Sequence, residues 1–373
     1  MIKINRSNPA NSTRSRIYKA ISQRGETSRQ ELAGLLALSM PTVLQYISSL
    51  IDDGYIKTTG QFKSVGGRKA EKLVPVADVK TAVGLEITKH YVNLVLSDML
   101  GNILYHERVY ESFRPESFYF ERLGRMVSAF LKEAGGFPER ILGCGIALPG
   151  NIDVDANLLV FSHTLDIVRS PLNLFSQYIS LPCMFINDAN AAGLAELRNW
   201  EKQPLVIYLS LNDSVGGSVF IDGTLYQGDH FRSGEFAHTH LHPGGIPCHC
   251  GKRGCVEAYL SAWALAEKTE GRLDVFFEKL EKEDPEILVI WGRYLDDLAL
   301  FTNSLCTAFD CTVILGGYVG GYMDVYMADL QKRLAAQNVY NIDAGNVKPC
   351  RSQRKAAALG AALGWIDQFI ETI

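Results

Sequence analysis

Cys248, Cys250 and Cys255 fall within one short segment, with Gly251 and Gly254 between them and His238, His240 and His249 as candidate imidazoles close by in sequence. Three thiolates and one imidazole make a soft set of four ligands, which suits a closed tetrahedral Zn2+ site. The two glycines would let the chain turn tightly enough for Cys250 and Cys255 to reach one ion. A metal held by four protein groups has no open position for water, so its role would be structural and not hydrolytic. Spacing alone does not choose among the three imidazoles. Eight cysteines in 373 residues are too sparse for a disulfide scaffold, and their clustering favours metal.

A metal staple needs a fold around it. The chain is long enough for two or three cores, and with 47% hydrophobic and 21% charged residues it has no reason to stay disordered. The first 16 residues lack the apolar stretch of a secretory signal, and no later segment approaches membrane-spanning length. The expectation is a soluble, cytoplasmic protein with no membrane partner. The net charge of −4 hides an asymmetry: residues 1–73 carry 12 Lys plus Arg against 5 Asp plus Glu, net +7, and the rest carries −11. A basic small module joined to an acidic large one is expected when the first meets phosphates and the second does not.

The pattern of the basic segment agrees. A helix from Ser12 has Ile17, Ala20 and Ile21 on one stripe and stops at Gly25. Thr27 or Ser28 caps a second helix, with Glu31 in capping-box position and Leu32, Leu35 and Leu36 facing inward. Ser39 caps a third, in which Pro41 is tolerated in the first turn and Val43, Leu44, Ile47 and Leu50 are apolar. Tyr55-Ile56-Lys57 opens a strand, and Thr58–Lys69 reads as a hairpin. Helix, helix, turn, helix and basic hairpin is the order of a winged helix-turn-helix, whose third helix enters the major groove. Double-stranded operator DNA would then meet Ser39, Met40, Thr42, Gln45 and Tyr46 on that helix, and Lys63, Arg68 and Lys69 on the wing.

Lys72 to Val79 reads as a linker, so the domains are set at 1–73 and 81–373, with 74–80 between them. Beyond it, strands fill Thr81–Leu96 and Ile103–Tyr110, and a similar series of strands and turns recurs at Pro204–Tyr226. Helices follow each, around Glu116–Ala134 and Ser261–Lys268. The fold class is α/β with two related lobes, the first about 81–190 plus a C-terminal helix and the second about 191–355.

On GIALPGNID at Gly145–Asp153, NDANAAGLAE at Asn187–Glu196, GEFAH at Gly234–His238, CHCGKRGCVEAYLS at Cys248–Ser261 and ILGGY at Ile314–Tyr318, the chain resembles the ROK family of repressors, open reading frames and sugar kinases. The resemblance covers the whole chain and implies an actin-like (ribonuclease H-like) two-lobed domain behind the winged helix. It also implies His238 as the imidazole of the zinc set, and a sugar pocket of Asn187, Asp188, Glu235, His238 and Glu257. Carboxylates and an amide can each bridge adjacent hydroxyls, and His238 could bind metal through one ring nitrogen and serve the pocket through the other. Asp188 stands where the family's kinases keep their general base, and it can equally cap the helix Ala189–Leu197. Homodimers or homotetramers, pairing two half-sites about 10 bp or a multiple apart, are a further expectation from the resemblance.

The phosphate side departs from the kinase pattern. Where family kinases have a D-x-G-G-T loop, this chain has Glu86-Ile87-Thr88-Lys89-His90, and the second glycine-rich loop reads Leu211-Asn212-Asp213-Ser214-Val215-Gly216-Gly217-Ser218. Lost glycines and an added carboxylate both oppose ATP and Mg2+. The reading is therefore a transcriptional regulator, a repressor of carbohydrate-utilisation genes answering to a small sugar or sugar phosphate. An ATP-dependent sugar kinase with an attached DNA-binding domain, with Asp188 catalytic, is the second reading. A sensing domain that binds a regulatory protein is the third.

Overall fold

The structure is a computed structural model describing residues 12–62, 70–135, 137–198, 200, 203–337, 344–351 and 355–373. Ser12 caps α1 (Thr13–Arg24) by accepting from Ser15 N, and Gly25 ends it at φ 72°. Ser28 and Glu31 complete a reciprocal capping box on α2 (Arg29–Leu36). The chain then turns through Ala37 into α3 (Met40–Asp52), capped by Ser39. Ile17, Ile21, Leu32, Val43, Ile47 and Leu50 close a small core with Ile56 and Leu73. Leu35, which the helical stripe places inward, stands 51% exposed on an outward face, and Leu44 is 45% exposed.

β1 (Ile56–Gln61) and β2 (Glu71–Pro75) pair antiparallel from Ile56↔Pro75 to Gln61↔Glu71, forming the wing. Its tip lies outside the described residues, and with it Lys63, Arg68 and Lys69. The linker begins later than expected. Leu73 also exchanges backbone hydrogen bonds with Thr27, so β2 has a partner on either side and stays a strand through Pro75.

Two five-stranded sheets follow, built to one plan. The first runs β10-β6-β3-β4-β5 (Cys183–Asn187, Ile141–Leu148, Thr81–Ile87, Tyr91–Asp98, Ile103–Tyr110). The second runs β13-β12-β11-β14-β15 (Thr224–Tyr226, Val215–Ile221, Leu205–Leu211, Thr312–Gly316, Val347–Pro349). In each, three antiparallel strands continue into two parallel ones, with β3 and β11 in equivalent places. Buried apolar residues fill all of β3 except Thr81, Gly84 and Glu86. A small sheet of β7 (Asn151–Asp153), β8 (Leu158–Ser162) and β9 (Ile167–Pro171) packs on the first lobe beside α4 (Ser117–Glu133).

The C-terminal helix Ala356–Thr372 crosses the first sheet at backbone contact. A Cβ on Gly84 would lie 1.7 Å from Ala358 O, and one on Gly145 would lie 1.9 Å from Ala361 O. On its other side Gly360 meets Ala191 O of the helix Asp188–Leu197 just as closely. Such packing leaves no slack, so the two helices and the first sheet must move together. The winged helix is fastened to the same helix: Ser12 Oγ donates to Ile373 O at 2.9 Å, Lys19 pairs with Glu371, and the rings of Tyr55 and Phe369 lie 6.0 Å apart. Among the described residues no single helix is long and apolar enough to cross a membrane.

Candidate functional site

His238, Cys248, Cys250 and Cys255 converge, with their four ligand atoms all within 4.8 Å of one another. Cys250 Sγ and Cys255 Sγ are 3.7 Å apart, and Cys248 Sγ is 3.9 Å from His238 Nδ1. Two sulfurs held about 2.3 Å from one tetrahedral ion would be separated by about 3.8 Å. The donors and their spacing therefore fit a closed metal site. His240 pairs its backbone with Cys255 and His249 stacks on His163, so neither ring joins the four.

The loop owes this shape to several local devices. Gly251 and Gly254 both sit at φ 82°, and a Cβ on Gly254 would lie 1.8 Å from His242 O. Cys248 N donates to Lys252 O and Gly251 N to Cys248 O, which folds the thiolates toward one point. Two supports came with no sequence signal. Tyr259 Oη accepts from Ile246 N at 2.8 Å, and His242 Nε2 meets Asp297 Oδ1 at 2.6 Å on the helix Pro285–Phe309, 55 residues downstream.

A run of polar groups extends from the cysteine loop to the start of the helix Asp188–Leu197. Asn187 caps the helix Asp188–Leu197: its Oδ1 accepts from Asn190 N and its Nδ2 donates to Gly150 O, both at 3.0 Å. Asp188 Oδ1 accepts from Ala189 N at 2.9 Å, so it serves the helix end as well as the cleft. Desolvation, with the neighbouring Glu235 charge adding to it, pushes the Asp188 carboxyl up to about 7. Glu235 leads into the single turn Phe236–His238, and desolvation raises its carboxyl too. Glu257 is buried; Oε2 accepts from Val215 N at 2.6 Å, and desolvation pushes the carboxyl up to about 7. That oxygen ties the cysteine loop to the start of β12, leaving Oε1 3.9 Å from His249 Nδ1.

Glu86 is buried on β3, close enough to Asp188 to feel its charge, and accepts from Asn93 Nδ2 at 2.7 Å; desolvation pushes its carboxyl up to about 7. Burial raises the Asp213 carboxyl on the second lobe, and the charges of Arg108 and Lys89 on the first lobe offset part of that rise. The retained glycine pair has other partners. Gly317 N donates to Tyr208 Oη and Tyr318 N to Asn212 Oδ1, and Gly316 leaves room only for the Tyr208 ring. Backbone donors of the kind that cradle phosphates are occupied by the chain's own side chains.

In the N-terminal domain, α3 presents Met40 at 42% exposure and an exposed Gln45. Ser39 Oγ and Thr42 Oγ1 are 2.8 Å apart, while Tyr46 is half-buried against the core.

A model of the ROK family matches residues 82–368, and a model of winged helix-turn-helix DNA-binding domains matches residues 11–57. The chain belongs to the ROK family. It is 29% identical to the xylose repressor of Bacillus subtilis over 384 residues, 96% of this chain and 95% of that one. It is 30% identical to the xylose repressor of Caldicellulosiruptor bescii over 67% of this chain, and the match spans 63% of that relative's length. Among solved structures, a ROK family transcriptional regulator that is a homologue of the E. coli MLC protein superposes with TM-score 0.75 at 19% identity, covering 96% of this chain and 98% of the other. This ROK protein thus has the two-part order of DNA-binding ROK repressors over nearly its full length.

Proposed function

We propose that the protein is a sugar-responsive repressor of carbohydrate-utilisation genes. Its second lobe is stapled by Zn2+ on His238, Cys248, Cys250 and Cys255, and its cleft binds a monosaccharide or sugar phosphate through Asn187, Asp188, Glu235, His238 and Glu257. With Nδ1 of His238 turned to the metal cluster, Nε2 is left for the pocket, so a bound ion would fix the ring that contacts the sugar. The relatives named xylose repressors make D-xylose the first probe. Operator DNA is read by α3 and the wing, in the cytoplasm, by a homodimer or homotetramer.

One observation carries the reading. The helix that begins with Asp188 in the cleft packs at backbone contact on the C-terminal helix, and that helix holds α1 and Tyr55 of the DNA-binding domain. A sugar that binds one arrangement of the lobes better than another would shift operator affinity by that difference. The occupied donors of Gly317 and Tyr318 favour this over the sugar kinase reading. Glu257→Gln tests it. An amide offers one acceptor where the carboxylate offers two, and a lost charge-assisted bond of about 1.5–3 kcal/mol weakens sugar affinity by one to two decades. Calorimetry with D-xylose, D-glucose and N-acetyl-D-glucosamine, beside operator titrations, reads the effect. If no sugar binds the wild type, or if the variant binds equally well, the pocket assignment is wrong.

A further inference from the structure

The lobes touch beside the residues assigned to the sugar pocket. His163 follows β8 on the small sheet of the first lobe, and its ring stacks on His249 of the metal loop with centroids 3.6 Å and planes 10° apart. His249 stands edge-on to His238 at 5.6 Å and next to Glu257, so the stack lies against two of the groups assigned to the sugar pocket. A second bridge reinforces it: Asn151 Nδ2 on β7 donates to Phe231 O on the second lobe at 2.9 Å. The small sheet is packed into the first lobe's core through Ile152, Leu159, Leu165 and Ile167, and therefore moves with that lobe.

We propose that the His163–His249 stack is a latch that closes the effector cleft and sets how fast a sugar enters and leaves; this rests on the sugar-binding reading above. A face-to-face ring pair at a solvent-facing rim is worth little compared with the core, which suits a contact made and broken in each binding event. His163 is a positioning residue: it holds the lobes together and needs no contact with the sugar. If free and bound forms are both latched, loosening the latch raises the open population equally in each. Entry and exit then accelerate together and the equilibrium affinity barely moves. A side chain that contacted the sugar would instead change exit alone, and the affinity with it.

His163→Ala and His163→Phe distinguish these cases. Hydrogen exchange without any sugar reads the latch itself, at the turn Ser162–Asp166, where Asp166 N donates to His163 O, and at the loop Cys248–Gly251. Exchange there is expected to rise about fivefold in His163→Ala and to return to the wild-type rate in His163→Phe, whose ring can still stack. Core amides of β3 and β6 should be unaltered in both, which separates an open latch from an unfolded lobe. Stopped-flow mixing with D-xylose, D-glucose or N-acetyl-D-glucosamine should show entry and exit both faster by a similar factor in His163→Ala, with affinity within twofold of wild type. Unchanged exchange at both segments, faster exit with unchanged entry, or failure of His163→Phe to restore the wild-type rates would overturn the latch. Failure of every sugar to bind the wild type would remove the sugar reading, and exchange would still decide whether the lobes are latched.

Discussion

Cys250 is the most exposed of the three clustered thiols and is one of the four donors that converge among the described residues. Cys250→Ser is expected to lose the metal and loosen the second lobe around the loop, because binding energy at a closed structural site is folding energy. Metal analysis of the purified variant, with its melting curve, checks this; one zinc per chain at unchanged stability would refute it. Glu86 makes a different point. Its carboxyl ordinarily titrates near 4.5 and is pushed up to about 7 by burial, so the folded state holds a proton that the unfolded state releases between those values. Its contribution to stability is thus fully present below about pH 4.5 and is lost as pH rises to about 7. Melting temperature should fall between pH 5 and pH 8, and Glu86→Gln, which keeps a partner for Asn93, should flatten the fall. A slope identical to wild type would show that Glu86 titrates normally.

At the scale of elements, the C-terminal helix joins the first sheet, the helix Asp188–Leu197 and the DNA-binding domain. Gly84, Gly145 and Gly360 bring it to backbone contact on two sides, and its last turn carries Phe369 and Glu371 to the DNA-binding domain. Phe369→Ala removes the ring facing Tyr55 and leaves the cleft untouched. We expect sugar affinity to hold while the sugar-dependent change in operator affinity shrinks, by up to the 5- to 150-fold that typical coupling energies of about 1–3 kcal/mol represent. Operator titrations with and without saturating sugar give the measurement. A full response in this variant would mean that coupling travels by another route.

For the whole molecule, charge bears on the proposed meeting with DNA. The first 73 residues carry a net +7 and the rest −11, an asymmetry that would favour phosphate contact by the N-terminal domain over contact by the lobes. Arg68→Ala combined with Lys69→Ala should weaken binding to all sequences and reduce the salt slope by about two, since each phosphate contact releases close to one counterion. Gln45→Ala, on the exposed face of α3, should alter preference among operators and leave that slope alone. Filter binding over a salt series separates the two effects. A salt slope unmoved by the wing changes would place the phosphate contacts elsewhere.

Local chemistry was legible in the chain. Capping residues, turn glycines and helical stripes act within a few positions, so Ser12, Ser28, Glu31 and Ser39 announced the ends of α1, α2 and α3, and the cysteine spacing announced a metal loop. Alternating strands and turns at Thr81–Tyr110 and Pro204–Tyr226 announced two related lobes, since both sheets open with three antiparallel strands. What joins distant segments was not legible. Asp297 steadies His242, His249 turns to His163 instead of the metal cluster, Val215 claims an oxygen of Glu257, and Tyr208 and Asn212 fill the glycine turn after β14. None of these pairs shares a periodicity or a spacing. Each exists because the tertiary fold places distant segments side by side, and that placement is fixed by burial across the whole chain, which no short window of sequence contains.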